Sequence, residues 1–165
     1  YDGSAGAYIE SDAHNCTDEY GKSKSLGENL TVTNIRTSII GEEKHNKRSL
    51  LEWVMSNRDK TIDGYENHTW NGVTCLELSK LIGEIIKNNA FWTGVRHVFS
   101  PDTVSKYMLV NMINEIYDLN ITINKKSTDN HCYRNLSTSG DHMVSKSLYD
   151  QILELRDFNL KTRET

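Results

Sequence analysis

The chain has 165 residues, of which 36% are hydrophobic and 25% charged, and its formal net charge is -4. That length supports one domain with a true core, and the composition is ordinary for a globular protein. No basic run offers a footing for nucleic acid, and no apolar stretch approaches the ~18 residues of a membrane span. In chain order, residues 1–16 read as loop, with Gly3, Gly6 and the polar cluster Ser11-Asp12-Ala13-His14-Asn15. Thr17 or Asp18 caps a helix running to about Asn29. Alternation from Leu30 to Arg36 predicts a strand, and Ser38-Ile39-Ile40-Gly41 leads into a polar loop. Ser49 caps a short helix over Leu50–Met55. Lys60–Tyr65 reads as a short strand, followed by a loop through Trp70-Asn71-Gly72.

Thr74 caps the clearest helix, whose stripe is Leu76, Leu78, Leu81, Ile82, Ile85 and Ile86. Val95–Phe99 is the next strand. A helix then starts near Thr103 or Ser105 and runs to about Tyr117. Ile121–Ile123 is a further strand, residues 124–141 are polar, and a last helix spans about Ser145 to Phe158. Strands alternating with helices predict an α/β chain.

Cys16, Cys75 and Cys132 are few, odd in number and far apart. They suggest reduced thiols in a cytosolic protein, not a disulfide framework. The six histidines show no metal-ligand spacing, and the neighbours His131-Cys132 read as incidental. Asn-x-Ser/Thr triplets start at Asn15, Asn29, Asn67, Asn120 and Asn135. This composition produces about three by chance, so they carry little weight. Trp53, Trp70 and Trp92 suit either a sugar pocket or core and rim packing, and Trp53 reads as packing. Lys22, Lys24, Arg36, Arg96 and Arg134 are candidates for phosphate contacts or solvated surface charges. Glu42-Glu43 reads as a solvated pair. Gly3-x-x-Gly6 lacks the third glycine and preceding strand of a phosphate-binding turn.

The most informative feature is Tyr20-Gly21-Lys22-Ser23-Lys24. On a helix, the four-residue spacing puts the phenol of Tyr20 and the ammonium of Lys24 on one face. An ammonium beside a phenol favours the ionised form, and such a phenol can give a proton to a carbonyl oxygen or take one from an alcohol. Alone the spacing is weak, because both residue types are common on exposed helix faces.

The surrounding residues carry a resemblance. Asp18-Glu19-Tyr20-Gly21-Lys22-Ser23-Lys24-Ser25-Leu26-Gly27-Glu28 resembles the catalytic helix of extended short-chain dehydrogenases/reductases. Asn34-Ile35-Arg36-Thr37-Ser38-Ile39-Ile40-Gly41 resembles the strand and loop that follow it. Within that family the sequence is most similar to dTDP-4-dehydrorhamnose reductases and related sugar-nucleotide reductases. Tyr1–Glu10 resembles their loop before the catalytic helix. Softer matches are Trp70-Asn71-Gly72-Val73-Thr74, Gly94-Val95-Arg96-His97-Val98 and Val104-Ser105-Lys106-Tyr107, from the C-terminal half.

The resemblance implies the C-terminal part of a Rossmann-type NAD(P)-binding fold, with the catalytic helix and following strand in 1–41. Residues 42–165 would form mostly the small substrate-binding region. No glycine-rich dinucleotide turn occurs, and the triad Ser/Thr would lie before Tyr1. The expectation is therefore a chain without the N-terminal dinucleotide-binding half, inactive alone and prone to expose apolar surface.

In the intact protein the resemblance implies NAD(P)H-dependent reduction of a 4-keto-6-deoxy sugar nucleotide, with NADP or NAD as cofactor. Tyr20 and Lys24 would be catalytic and would also touch cofactor, beside Thr37, Ser38 and Ile39. Arg134 would contact the substrate diphosphate. The implied setting is cytoplasmic polysaccharide or dTDP-rhamnose biosynthesis, with no nucleic-acid or membrane partner and with room for a homodimer. The alternatives are an epimerase or dehydratase of the same superfamily, or a non-catalytic reductase-like binding or regulatory subunit.

Overall fold

A computed structural model describes residues 1–163. Its elements are α1 (Glu19–Leu26), β1 (Thr33–Arg36), β2 (Ile39–Ile40), α2 (Leu50–Met55), β3 (Thr61–Tyr65), β4 (His68–Trp70) and β5 (Val73–Thr74). They continue with α3 (Cys75–Lys87), β6 (Gly94–His97), β7 (Val104–Ser105), α4 (Lys106–Ile116), β8 (Thr122–Lys126), β9 (Cys132–Arg134) and α5 (Leu148–Arg163). No helix among the described residues is long and apolar enough to cross a membrane.

The helices start where side chains can replace missing backbone partners. The carboxylate of Asp18 accepts from Gly21 N at 2.7 Å. Ser49, Thr74 and Ser105 accept in the same way from Glu52, Glu77 and Met108. Ser147 performs this role for Asp150, so α5 begins at Leu148, three residues after the expected Ser145. Each cap bonds the amide three residues on, one of the donors that the first helical turn leaves open.

Strand pairing is mostly parallel. β1 pairs with β6, β2 with β5 and β3 with β8, while β4 lies between antiparallel β7 and parallel β9. The helices on either side of these short ladders make the α/β architecture expected from the alternation. The expected loop through Trp70-Asn71-Gly72 holds β4, β5 follows it, and the polar stretch after residue 124 holds β9. Strands of two or three residues are too short to show a period. α1 stops at Leu26 because Gly27 closes it, and β1 starts only at Thr33, since the Asn29 side chain turns the chain through Thr31.

The main core lies in the 42–165 region. α4 supplies Leu109, Val110, Ile113 and Ile116, and α5 supplies Leu148, Ile152 and Leu155. Leu51 and Val54 of α2 complete the centre. A smaller cluster of Val73, Val98 and Val144 sits under α3. α1, by contrast, buries none of its residues.

Two polar junctions join the layers. The buried Gln151 of α5 accepts from Thr74 N at 3.2 Å and donates to Ser100 Oγ and Lys146 O, both at 2.9 Å. Buried Asn71 exchanges two 2.8 Å bonds with the backbone of Leu136. The opening loop is fixed by Glu10, whose carboxylate accepts from His97 N, from the Thr138 hydroxyl and from Ser139 N. His97 is buried and its Nδ1 faces two carbonyl oxygens, of Tyr8 at 3.1 Å and Ser137 at 2.8 Å. Carbonyls only accept, so Nδ1 carries the proton.

Burial opposes ionisation of Glu10, but these three donors outweigh it and hold its pKa down to about 2. A carboxylate with a depressed folded pKa stabilises the fold above its ordinary value of 4.5, and that contribution is lost as pH falls toward 2. Urea unfolding followed across that window will show a steeper acid loss in the parent than in Glu10→Gln. Equal slopes would dismiss the role of Glu10. In the core, Ile113 is fully buried, so Ile113→Ala will lower unfolding free energy by about 2–5 kcal/mol in the same assay.

Candidate active site

Tyr20 and Lys24 share one face of α1, as the spacing requires, with the Lys24 Nζ 5.3 Å from the centre of the Tyr20 ring. Tyr20 is 74% exposed. Neither the Tyr20 hydroxyl nor the Lys24 ammonium has a hydrogen-bond or ion-pair partner among the described residues. The pair is thus assembled, adjacent and chemically available.

What holds α1 in place lies just beyond its end. Glu28 receives a two-pronged bond from Arg36 of β1, Nε to Oε1 at 2.5 Å and Nη2 to Oε2 at 2.7 Å. Both side chains are mostly buried, which makes this forked geometry stronger than an exposed ion pair. The Arg36 bond pulls the Glu28 carboxyl below the usual carboxylate range. Arg36 Nη1 also donates to Tyr1 Oη at 2.7 Å and to Glu10 O at 3.1 Å. Tyr1 stacks flat on Tyr8, with ring centres 4.2 Å apart. His14 reaches Glu28 at 3.5 Å and bonds Ser25 of α1. Arg36, one of the phosphate candidates, is therefore engaged within the fold.

The second part of the site is a cavity of about 350 Å³ between β2, β4, β9 and the start of α4. Ser38 and Ile39 line it together with Arg134, bringing together residues far apart in sequence. Thr37 is half-buried beside them but does not line it. Trp70 forms a wall, and its indole N–H donates to Ser38 Oγ at 2.7 Å. Lys106, the first residue of α4, also lines the cavity. It was not singled out from sequence, although its place after the Ser105 cap was a usable signal. Arg134 and Lys106 both lack an ion-pair partner among the described residues. Two unpaired cations at a helix N-terminus favour an anion. Tyr20 and Lys24 lie outside this lining.

The remaining candidates separate. Arg96 lies over the Trp92 ring at 4.6 Å. Trp53 is 43% exposed, so it is a rim residue and not part of the core. Glu43 is tied into its loop rather than merely solvated, its carboxylate accepting from Arg48 N at 2.6 Å. The three cysteines are free thiols, and Cys132 lines the cavity. Among the described residues no three His, Cys, Asp or Glu side chains converge as a metal site requires.

No protein-family model and no curated protein matches the sequence. Solved structures do match the fold. A dTDP-4-dehydrorhamnose reductase from Clostridium acetobutylicum superposes with a TM-score of 0.74 at 16% identity, over 97% of this chain and 62% of that one. The Bacillus anthracis dTDP-4-dehydrorhamnose reductase, in complex with NADP, gives 0.72 at 17% identity, over 96% and 62%. A UDP-N-acetylglucosamine 4-epimerase from Methanobrevibacter ruminantium, in complex with UDP-N-acetylmuramic acid, gives 0.56 at 14% identity, over 87% and 50%. At these identities the likeness is one of fold: the chain has the architecture of part of these sugar-nucleotide enzymes. It spans about 62% of the length of the two reductases.

Proposed function

We propose that the chain is the C-terminal half of an NAD(P)H-dependent reductase acting on a 4-keto-6-deoxy sugar nucleotide. The observation that carries this reading is the pairing of an available Tyr20/Lys24 face with a separate cavity in which Ser38 and Ile39 meet Arg134 and Lys106. One half suits proton transfer at a carbonyl and the other suits an anionic substrate. The fold shared with the two reductases supports it. So does β1, which among the described residues pairs along one edge only, with β6. In this reading a dinucleotide-binding half continues the parallel sheet along the other edge.

The residues present fit a nicotinamide dinucleotide. Lys24 would hold the ribose hydroxyls, and Thr37, Ser38 and Ile39 would border the nicotinamide. When bound, the reduced cofactor supplies a hydride to C4 of the sugar. Tyr20 gives its hydroxyl proton to the C4 oxygen, so that the carbonyl becomes an alcohol, and Lys24 stabilises the resulting phenolate through its adjacent positive charge. Arg134 and Lys106 bind the diphosphate, and Trp70 walls the cavity beside it. The Trp70–Ser38 bond links the substrate cavity to the cofactor-bordering loop.

The test is turnover by a polypeptide that joins this chain to its dinucleotide-binding half. NADPH or NADH oxidation will depend on a 4-keto-6-deoxy sugar nucleotide. Tyr20→Phe will lower kcat by about 10²–10⁴. Arg134→Ala and Lys106→Ala will raise KM with kcat nearly unchanged, the mark of lost uniform binding. Unchanged turnover in Tyr20→Phe would refute the mechanism. Interconversion of epimers without net cofactor oxidation would replace reduction by epimerisation.

A further inference from the structure

The geometry points to a second binding site, for a small organic monoanion, in a cavity of about 340 Å³ between the ends of α2 and α4 and the last turns of α5. It shares no lining residue with the substrate cavity, and the inference does not rest on the reductase reading. Such a volume lies at the small end of ligand pockets. Its apolar surface comes from Met55, Leu119 and Leu160.

The polar surface is arranged for a negative charge. Arg58 donates through Nη1 to Asp118 O at 2.5 Å and through Nη2 to Tyr117 O at 3.3 Å. Arg156 donates through Nη1 to Ile116 O at 2.7 Å. Both guanidinium groups are thereby fixed at the carbonyl end of α4. Arg156 shares its charge with Asp157 at 2.6 Å, whereas Arg58 has no carboxylate within ion-pair distance among the described residues. A guanidinium has five N–H donors, and these contacts leave several of Arg58's unused.

A second observation is independent of the arginines. Asn159, which also lines the cavity, has a buried side-chain nitrogen with no hydrogen-bond partner among the described residues. A buried donor left unpaired is costly, and an acceptor supplied by a ligand removes that cost. A carboxylate can accept from Asn159 and Arg58 while an aromatic or aliphatic body covers Leu119 and Leu160. Glu42, held by the Tyr117 hydroxyl at 3.3 Å, is also in the lining and disfavours a second negative charge on the ligand.

Benzoate is the probe. Titrated into the 165-residue chain and followed by amide and side-chain nitrogen NMR, it will give saturable shifts at the Asn159 side-chain amide, Arg58 Nε and the Leu119 and Leu160 backbone. Benzyl alcohol, of similar shape but neutral, will bind at least about tenfold more weakly. Asn159→Leu, which leaves the Arg58 bonds to α4 untouched, will weaken benzoate by a similar factor, as will Arg58→Gln. Equal binding of benzyl alcohol, undiminished benzoate binding in a folded Asn159→Leu, or no saturable shift would each overturn the proposal.

Discussion

The candidate catalytic helix depends on one guanidinium. Arg36 makes four hydrogen bonds to three segments: two to Glu28 after α1, one to Tyr1 and one to the backbone of Glu10. α1 itself buries nothing, so the hydrophobic effect does little to fix its place. A mostly buried forked pair does this instead, and its worth lies in geometry more than in net energy. Desolvating two charges consumes much of what their attraction returns, but leaving either one alone is strongly unfavourable. The pair therefore acts as a positional lock between α1 and the end of β1. The residues proposed for proton transfer and for bordering the cofactor lie on the two sides of that lock, Tyr20 and Lys24 before it and Thr37 to Ile39 after it.

The other side of the molecule is held differently. α4 and α5 bury a continuous aliphatic core, and the polar groups inside it are placed at seams. Gln151 bridges α5 to the start of α3 and to Ser100, which in turn donates to Gly72 O at 2.7 Å. Asn71 ties the same turn to Leu136. These bonds fix the backbone between β4 and β5, and hence the wall formed by Trp70. Gly72 shows how tight the turn is, since a Cβ there would sit 2.1 Å from Ser38 O and 2.2 Å from the Trp70 ring. The cavity is thus a product of packing between Ser38–Ile40 and later elements of the chain, while the proposed proton-transfer pair is a product of local helix spacing.

That difference explains what the sequence disclosed. Tyr20 and Lys24 were legible because a helix converts a four-residue interval into adjacency, and the caps Ser49, Thr74 and Ser105 were legible because capping is local chemistry. The α3 stripe announced itself by period. The cavity did not, because Ser38, Trp70, Lys106 and Arg134 come from segments that meet through β2–β5, β4–β7 and β4–β9 pairing, in strands of two or three residues. Arg36 was misjudged for a related reason. A lone arginine carries no sequence mark of a partner eight residues back, so its phosphate-binding and structural roles look alike until Glu28 is seen beside it. Arg134 stood out from the residues only as one of five possible phosphate contacts, the family resemblance implied its diphosphate role, and Lys106 was singled out by neither.

Exposure and function are connected here. Leu26, Leu30 and Val32, on the segment from α1 to β1, are at least half exposed, as are Ile86 and Phe91 near the end of α3. Apolar side chains left in water gather where another surface covers them. Leu26, Leu30 and Val32 lie on the same stretch of the chain as Tyr20, just before β1. Proton transfer demands that donor and acceptor be held within hydrogen-bond reach. Covering that apolar strip would restrict α1 and dry the surroundings of Tyr20 in the same step. The helix proposed to carry the proton-transfer pair buries none of its residues, so a surface packed against it would complete the proposed site.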